Sequence, residues 1–570
     1  MSPHATSAAA RPATRIGRPM RYPVDPLTPD ERERLAPHVS NLDRPVFALI
    51  GLPETVKGAL FARYSRYPGT LRRLMVDEFA DDLAAAGGGS GPAAGAGPAA
   101  GADAAAGADA AAAGGRAAEL YERIFLGYGD DSVAQLGGAH VACEWASNIL
   151  TKLLQRPRPA AYLEQSTRYI AYDGPTEPAP APPRYRYYSD PTLGPEYAAA
   201  MDALFDAYAA AIPAVSAWAA DTFPVADGES PAAHARAVKA KALDLLRGLL
   251  PAASLSHMGI YASGQTYEQL VLHLLAHPLP EAREYGTMIL AELQTVIPSF
   301  VTRVPRPDRG GEWIAYLQSR AAAGERWARR LDLRGAQAGS DAGPSVRLTH
   351  VDGDEEALLC ALLFESTARG ETEIRDAVRA LDADRRAALL SDLVGERANR
   401  RHRPGRGFEA LRYRFEIVCD YGAFRDLQRH RMLTVQWQPL TPDLGADVPE
   451  QVQEAGVGDA YRHALEVSAH EYARLRGADH EIAAPYALCL GYRMRFVLDL
   501  NAREAMALIE LRSGREGHPS YRAVAHEMHA RIAEVHPAVA ATMRHVDTET
   551  EPRLERILAE MRTQARTAAG

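Results

Sequence analysis

Two stretches of this 570-residue chain read alike: LLQRPRPAAYLEQSTRYIAY from Leu153, and DLQRHRMLTVQWQPLTPD from Asp426. Both carry Arg-X-Arg behind a short apolar-polar lead, and both continue into a strand-like run. A repeated passage limits the possible folds more than composition does, because a chain built from two copies of one unit must fold as two copies of that unit. The likeness extends in both directions. Upstream, GALFARYSRYPGTL at 58 has a partner in ALLFESTARGETEI at 361. The spacing from Phe61 to Arg156 is longer than that from Phe364 to Arg429 by about the length of an Ala/Gly tract, residues 84–118. Downstream, LLPAASLSHMGIYASGQTYEQLVLHLL at 249 resembles AAPYALCLGYRMRFVLDLNAREAMALIELR at 483. Pro251 falls against Pro485 there, and a two-residue gap sets Gln265, Thr266 and Tyr267 against Asn501, Ala502 and Arg503. Three matches in one order predict a tandem duplication.

The chain exceeds the size of one ordinary core, which agrees with two units. Apolar residues recur at three and four in EYAAAMDALFDAYAAAIPAV, AREYGTMILAELQTVI and YRAVAHEMHARIAEVH, predicting helices, whereas AAYLEQSTRYIAY alternates as a strand does. The Ala/Gly tract cannot bury enough apolar surface to offset its ordering entropy and reads as a flexible insert. The expected organisation is a disordered tail over 1–40, a first repeat over 41–334, a linker over 335–345, a second repeat over 346–548 and a tail over 549–570. A net charge of −9 gives no basic field for nucleic acid, although a local arginine patch can hold a phosphate. Four dispersed cysteines without a CxxC pair predict neither a disulfide framework nor a thiolate metal site, and a reducing cytoplasm is the expected setting. His526 and His529 lack the four-residue spacing of an HExxH zinc site, so no metal is predicted. No uncharged apolar run reaches the roughly 18 to 20 residues of a membrane span.

Beyond the arginines the two copies differ. The first reads Arg156, Pro157, Arg158 and then Glu164, Ser166 and Arg168; the second reads Arg429, His430, Arg431 and then Thr434, Gln436, Pro439 and Thr441. Asn501, Arg503 and Arg512 stand in the second copy alone. These residues resemble the signature of the flavin-dependent thymidylate synthases, RHRxxSxNxxSxR with a later Asn-X-Arg and a further Arg. The first copy keeps the end of the signature and the second its beginning. The resemblance spans roughly residues 45 to 545 and implies an α+β protein, helix-rich overall, of two tandem thymidylate synthase-like domains, each a small antiparallel sheet packed with helices.

The resemblance also assigns roles. Glu164, Ser166, Arg168, Arg247 and Arg512 would bind the nucleotide; Arg429, His430, Arg431, Asn501 and Arg503 would hold FAD; Arg512 and His518 would serve catalysis. Guanidinium forks suit a nucleotide phosphate, and on a strand Ser166 and Arg168 would share a face. Departures are visible: Asp130 replaces the histidine of a flavin-binding GHxSxxEH passage in GDDSVAQL at 129, and GRGFEA at 405 matches it loosely. The family builds each site from several copies of a tetramer, so complementary losses predict a homodimer that mimics the tetramer. The implied activity is reductive methylation of dUMP at C5 with methylenetetrahydrofolate and NADPH. Two alternatives stand beside it: methylation or hydroxymethylation of another uridylate such as UMP, and a non-catalytic nucleotide- or flavin-binding homologue. A lone Arg in a chain with 64 basic residues is usually a solvated or ion-paired surface group, and Ser166 alone could satisfy backbone at a strand end.

Overall fold

The computed structural model describes residues 22–23, 25–88, 133–174, 184–333 and 343–569. Among the described residues, eight strands form two antiparallel sheets of four. In the first, β1 (Val46–Ala48), β2 (Gly138–Ser147), β3 (Ala160–Glu164) and β4 (Leu255–Ser263) lie in the order β1-β2-β4-β3; in the second, β5 (Ser345–Asp352), β6 (Arg412–Asp420), β7 (Leu433–Trp437) and β8 (Arg493–Asn501) lie in the order β5-β6-β8-β7. The registers repeat as well as the order. Gly138 pairs with Ser263 and Ala160 with Ala262; Arg412 pairs with Asn501 and Leu433 with Leu500. The duplication is therefore a structural fact, and the fold is α+β as the sequence implied.

Each long strand runs directly into a helix whose N-cap is the strand's last residue. Ser147, Ser263, Asp420 and Asn501 each accept a hydrogen bond from an amide three residues on, opening the helices Asn148–Leu154, Gly264–Ala276, Tyr421–Leu427 and Ala502–Arg512. Such caps satisfy amides that a helix start leaves orphaned. They also fix the correspondence between copies. Ser263 takes the place of Asn501, so Gln265 stands opposite Arg503, two residues from the sequence expectation.

The halves dock through a short bridge between Pro251 and Cys489. The Ala252 amide donates to the Leu488 carbonyl at 2.7 Å, and the Leu490 amide returns a bond to Leu250 at 2.8 Å. This reciprocal pair is what a local two-fold axis produces when equivalent residues face each other. It sets Pro251 against Cys489, not against Pro485. One apolar core runs through both halves, joining Tyr187, Leu250 and Met258 to Tyr486, Leu488 and Met494.

Several boundaries differ from expectation. Within the stretch read as a tail, Pro29–Leu35 is a helix with a Thr28/Glu31 capping box, and Leu35 is buried. Capping chemistry overrides the Pro- and Ala-rich context there. The C-terminal stretch likewise contains buried Leu554, Glu555 and Arg556 ahead of a helix, Ile557–Ala569. The Ala/Gly tract begins inside a helix, Ala80–Gly88, and its remainder lies outside the described residues, as do Asp130 and most of the 335–345 linker. β3 ends at Glu164, so Ser166 and Arg168 occupy a turn, not a strand. Among the described residues, one helix, Pro195–Thr222, has the length and apolarity to cross a membrane; here it buries Tyr197, Leu204, Phe205 and Tyr208 against the core. All four cysteines are free and buried.

Candidate functional site

The turn after the Tyr421–Leu427 helix carries Arg429, His430 and Arg431 towards the end of β3, so the two halves of the divided signature meet within one chain. Glu164 is the meeting point. Its carboxylate accepts from Gln155 at 2.8 Å, Lys152 at 3.0 Å, Arg425 at 2.8 Å and Arg429 at 2.9 Å. Burial alone would raise its pKa, but Lys152, Arg425 and Arg429 hold it well below the usual carboxylate range. With four donors around two oxygens, Glu164 organises cations and leaves little capacity for a ligand. Lys152 is the weak member: burial, with Arg425 and Arg429 acting against Glu164, lowers its ammonium to about 7.

A second layer centres on two aspartates. Asp244 holds Arg168 bidentately, both contacts at 2.6 Å, and Arg168 also donates to the Tyr521 hydroxyl at 3.1 Å. The Arg168 fork is thus committed to protein, while Ser166 accepts from the Arg168 amide at 3.3 Å. Asp426 faces Arg247 at 3.3 Å. Burial would raise Asp426, yet Arg429, Arg247, Arg512 and Arg168 depress it. Arg247 is 4% exposed, and its Nε and Nη2 have no hydrogen-bond acceptor among the described residues; Asp420 lies 3.7 Å away. Gly422 makes room for it, since a Cβ there would come within 3.0 Å of Arg247 Nε.

His430 links this layer to the flavin residues implied by the sequence. Arg512 donates to His430 Nε2 at 3.0 Å, so Nε2 is the acceptor, and Nδ1–H points at Glu504 at 3.2 Å. The ring is held neutral: burial lowers its pKa, Glu504 opposes this and Arg512 adds to it. Asn501 caps the helix through Oδ1, one turn from His430's partner, and its amide nitrogen makes no hydrogen bond among the described residues. Arg431 is exposed and donates to the Ala160 carbonyl. Arg503 turns away to Pro404 at 2.9 Å and towards Glu409, beside the GRGFEA segment. His518 is a helix cap. Its Nδ1 accepts from Ser520 and its Nε2 bonds the Asp244 carbonyl at 3.0 Å, so both nitrogens are occupied, and burial with Arg247 and Arg168 nearby keeps it neutral.

The sequence pattern did not single out Lys152, Arg425, Asp426, Asp244 or Tyr521. The first two were legible in principle, because both copies keep a cation three residues before the shared Gln, at Lys152 and Arg425. Asp244 and Tyr521 reach the site only through tertiary packing.

The two copies of this duplicated α+β chain thus jointly build a buried, arginine-rich cluster braced by carboxylates. The profile of the thymidylate synthase complementing protein family matches twice in tandem, over residues 97–299 and 349–538, and the chain belongs to that family. It is similar over most of its length to a UPF0159 protein of Chlamydia muridarum, 35% identical over 549 residues, covering 94% of this chain and 98% of the relative. A UPF0159 protein of Thermoplasma acidophilum is 30% identical over 479 residues, covering 78% and 92%. Among solved structures, a UMP/dUMP methylase from Streptomyces cacaoi bound with 5-Br dUMP aligns at 20% identity and a TM-score of 0.29, over 35% of this chain and 94% of that chain.

Proposed function

We propose that the chain is a flavin-dependent uridylate methylase in which dUMP, methylenetetrahydrofolate and NADPH yield the C5-methylated nucleotide, tetrahydrofolate and NADP. The observation that carries this reading is the charge balance of the pocket. Six arginines, Arg168, Arg247, Arg425, Arg429, Arg512 and Arg556, with Lys152 titrating at about 7 beside them, face four carboxylates, Glu164, Asp244, Asp420 and Asp426. At the margin, Arg403 and Glu504 offset each other. Buried charge in excess requires a partner, and a nucleoside monophosphate brings a dianion to a set of guanidinium forks. Arg247 is the natural phosphate donor, because its Nε and Nη2 are unpaired among the described residues while the Arg168 fork is held by Asp244.

The residues on the neighbouring edge fit a flavin in part. Arg431 and the Asn501 amide retain free donors, and Met432 beside them is 66% exposed, which suits an anionic cofactor with an apolar ring. Arg503, turned to Pro404, fits less well. When bound, the reduced flavin supplies the hydride that converts the transferred one-carbon unit to a methyl group. The protein's own part is electrostatic: His430, fixed as the Nδ1–H tautomer, orients Arg512, whose guanidinium can stabilise negative charge on the uracil as C5 becomes nucleophilic. His518 positions Asp244 and through it Arg168. Each chain then holds one complete site, and a homodimer would hold two.

The purified chain should be yellow or take up added FAD, and should bind one uridylate per chain. Incubation with methylenetetrahydrofolate and NADPH should add a methyl group to dUMP, as read by mass analysis, with UMP in a parallel arm to identify the acceptor. A colourless protein that refuses FAD would overturn the flavoenzyme reading.

A further inference from the structure

The family match ends at residue 538, but the chain continues and folds back onto the first half. Leu554 packs with Ala219, Ala237 and Val238. Glu555 pairs with Lys241 at 2.6 Å, both side chains buried, and Glu560 pairs with Arg236 at 2.7 Å. Between these anchors Arg556 is 4% exposed. Its guanidinium carbon lies 3.9 Å from the centre of the Tyr169 ring, which Arg66 also approaches, at 5.0 Å. Arg556 Nε is 3.8 Å from Asp244 Oδ2, too far for a hydrogen bond, because Arg168 already holds both oxygens of that carboxylate. Nε and Nη1 of Arg556 therefore have no acceptor among the described residues.

A guanidinium with two buried donors unmade is costly unless something else supplies the acceptor. Its neighbours show what that is. Arg168 stands beside it on Asp244, and Arg168 and Arg512 both approach the Tyr521 ring, at 5.9 and 5.4 Å, so Arg556 extends the arginine cluster. We propose that Arg556 is a ligand-contacting residue: it offers free donors to the phosphate of the uridylate beside the committed fork of Arg168, and the C-terminal segment is the strap that carries it there. This rests on the reading of the pocket as a nucleotide site.

Calorimetric titration of the full chain with dUMP and with deoxyuridine separates the two ideas. Wild type should bind dUMP far more tightly than deoxyuridine. Equal affinities would remove the phosphate-site reading itself. Given that preference, Arg556→Ala should weaken dUMP about 10- to 100-fold, the size of one charge-assisted contact, while deoxyuridine binding and Tm stay as in wild type. Arg556→Lys should recover part of the loss. Unchanged dUMP affinity, or equal loss of dUMP and deoxyuridine, would overturn the assignment. A measurement on wild type alone covers the case in which Arg556→Ala misfolds: saturating dUMP should slow amide exchange over residues 549–562, and deoxyuridine should not. Identical exchange with and without dUMP would also overturn it.

Discussion

At one junction between the halves Arg429 donates to Glu164; at the other, Arg156, which occupies the same place in the first copy, lies over the ring of Trp437 at 5.5 Å. Trp437 ends β7 where Glu164 ends β3. The exchange continues around both junctions. His430 is matched by Pro157, Asp426 by Leu153, Glu504 by Thr266 and Arg512 by Leu274, while Arg425 is matched by Lys152. One backbone arrangement thus supports a network of buried ion pairs on one side of the axis and, on the other, a contact with far fewer charges. Replacing a buried ion network by apolar groups is often neutral or stabilising, so folding alone gives no reason to retain the charges. Their loss at one junction and retention at the other point to a binding role for the retained set. Fusion explains why the loss is tolerated, since each copy needs to serve a single junction.

Matched substitutions at equivalent positions test this contrast. The largest effect is expected at Glu164→Ala, which strands Lys152, Arg425 and Arg429 and should cost about 3–5 kcal/mol in denaturant unfolding. Trp437→Ala, which removes a partly exposed ring and its cation–π contact, should cost about 1–2 kcal/mol. Comparable costs would mean that the junctions are energetically alike.

Next in size is a pH effect confined to Lys152. Its folded value of about 7 lies below the ordinary 10.5, so between those limits the unfolded chain holds a proton that the folded chain has released. Stability from this group therefore rises with pH from about 7 to 10.5, and below 7 the full penalty of the buried charge applies. Across that window wild type should gain about 2–4 kcal/mol over Lys152→Met. Arg425→Met, which removes one of the charges that lower Lys152, should raise the folded Lys152 value and shrink this gain. A flat Lys152→Met comparison would mean that the ammonium is not desolvated.

The smallest effect concerns ligand affinity. Arg512→Ala should weaken dUMP by about 1.5–3 kcal/mol, read by calorimetry, because a charged donor is lost. Leu274→Ala at the equivalent position should lower Tm through a cavity and leave dUMP binding intact. If Leu274→Ala also abolished binding, the second junction would not be a spent copy of the first.

Much of this was legible in the chain. The paired arginine passages revealed the duplication, and their complementary losses pointed to sites shared between copies; that Arg429 would pair with Glu164 inside one chain had no signal in the sequence. The register of the later repeat was harder, because Pro251 and Pro485 are turn formers that need not occupy the same step of a turn; the caps Ser263 and Asn501 mark the true correspondence. Alternation carried Ser166 and Arg168 onto a strand, but the Gln165 amide bonds the His257 carbonyl and the chain turns after Glu164. Asp244, Tyr521 and Arg556 had no local signal. Each reaches the pocket through helix packing or a returning segment, which is information held in tertiary structure.

The reciprocal bonds at Pro251 and Cys489 also order events in time. The ribosome completes Leu250–Ser254 roughly 240 residues before the partner strip, an interval of about 12–50 s at ordinary elongation rates. Throughout that interval the nascent first half presents an unpaired backbone edge and an uncovered apolar face. The first halves of neighbouring chains on one message carry that same edge, so crowded translation favours mispaired dimers, and the yield of native protein should fall as the spacing between ribosomes shrinks.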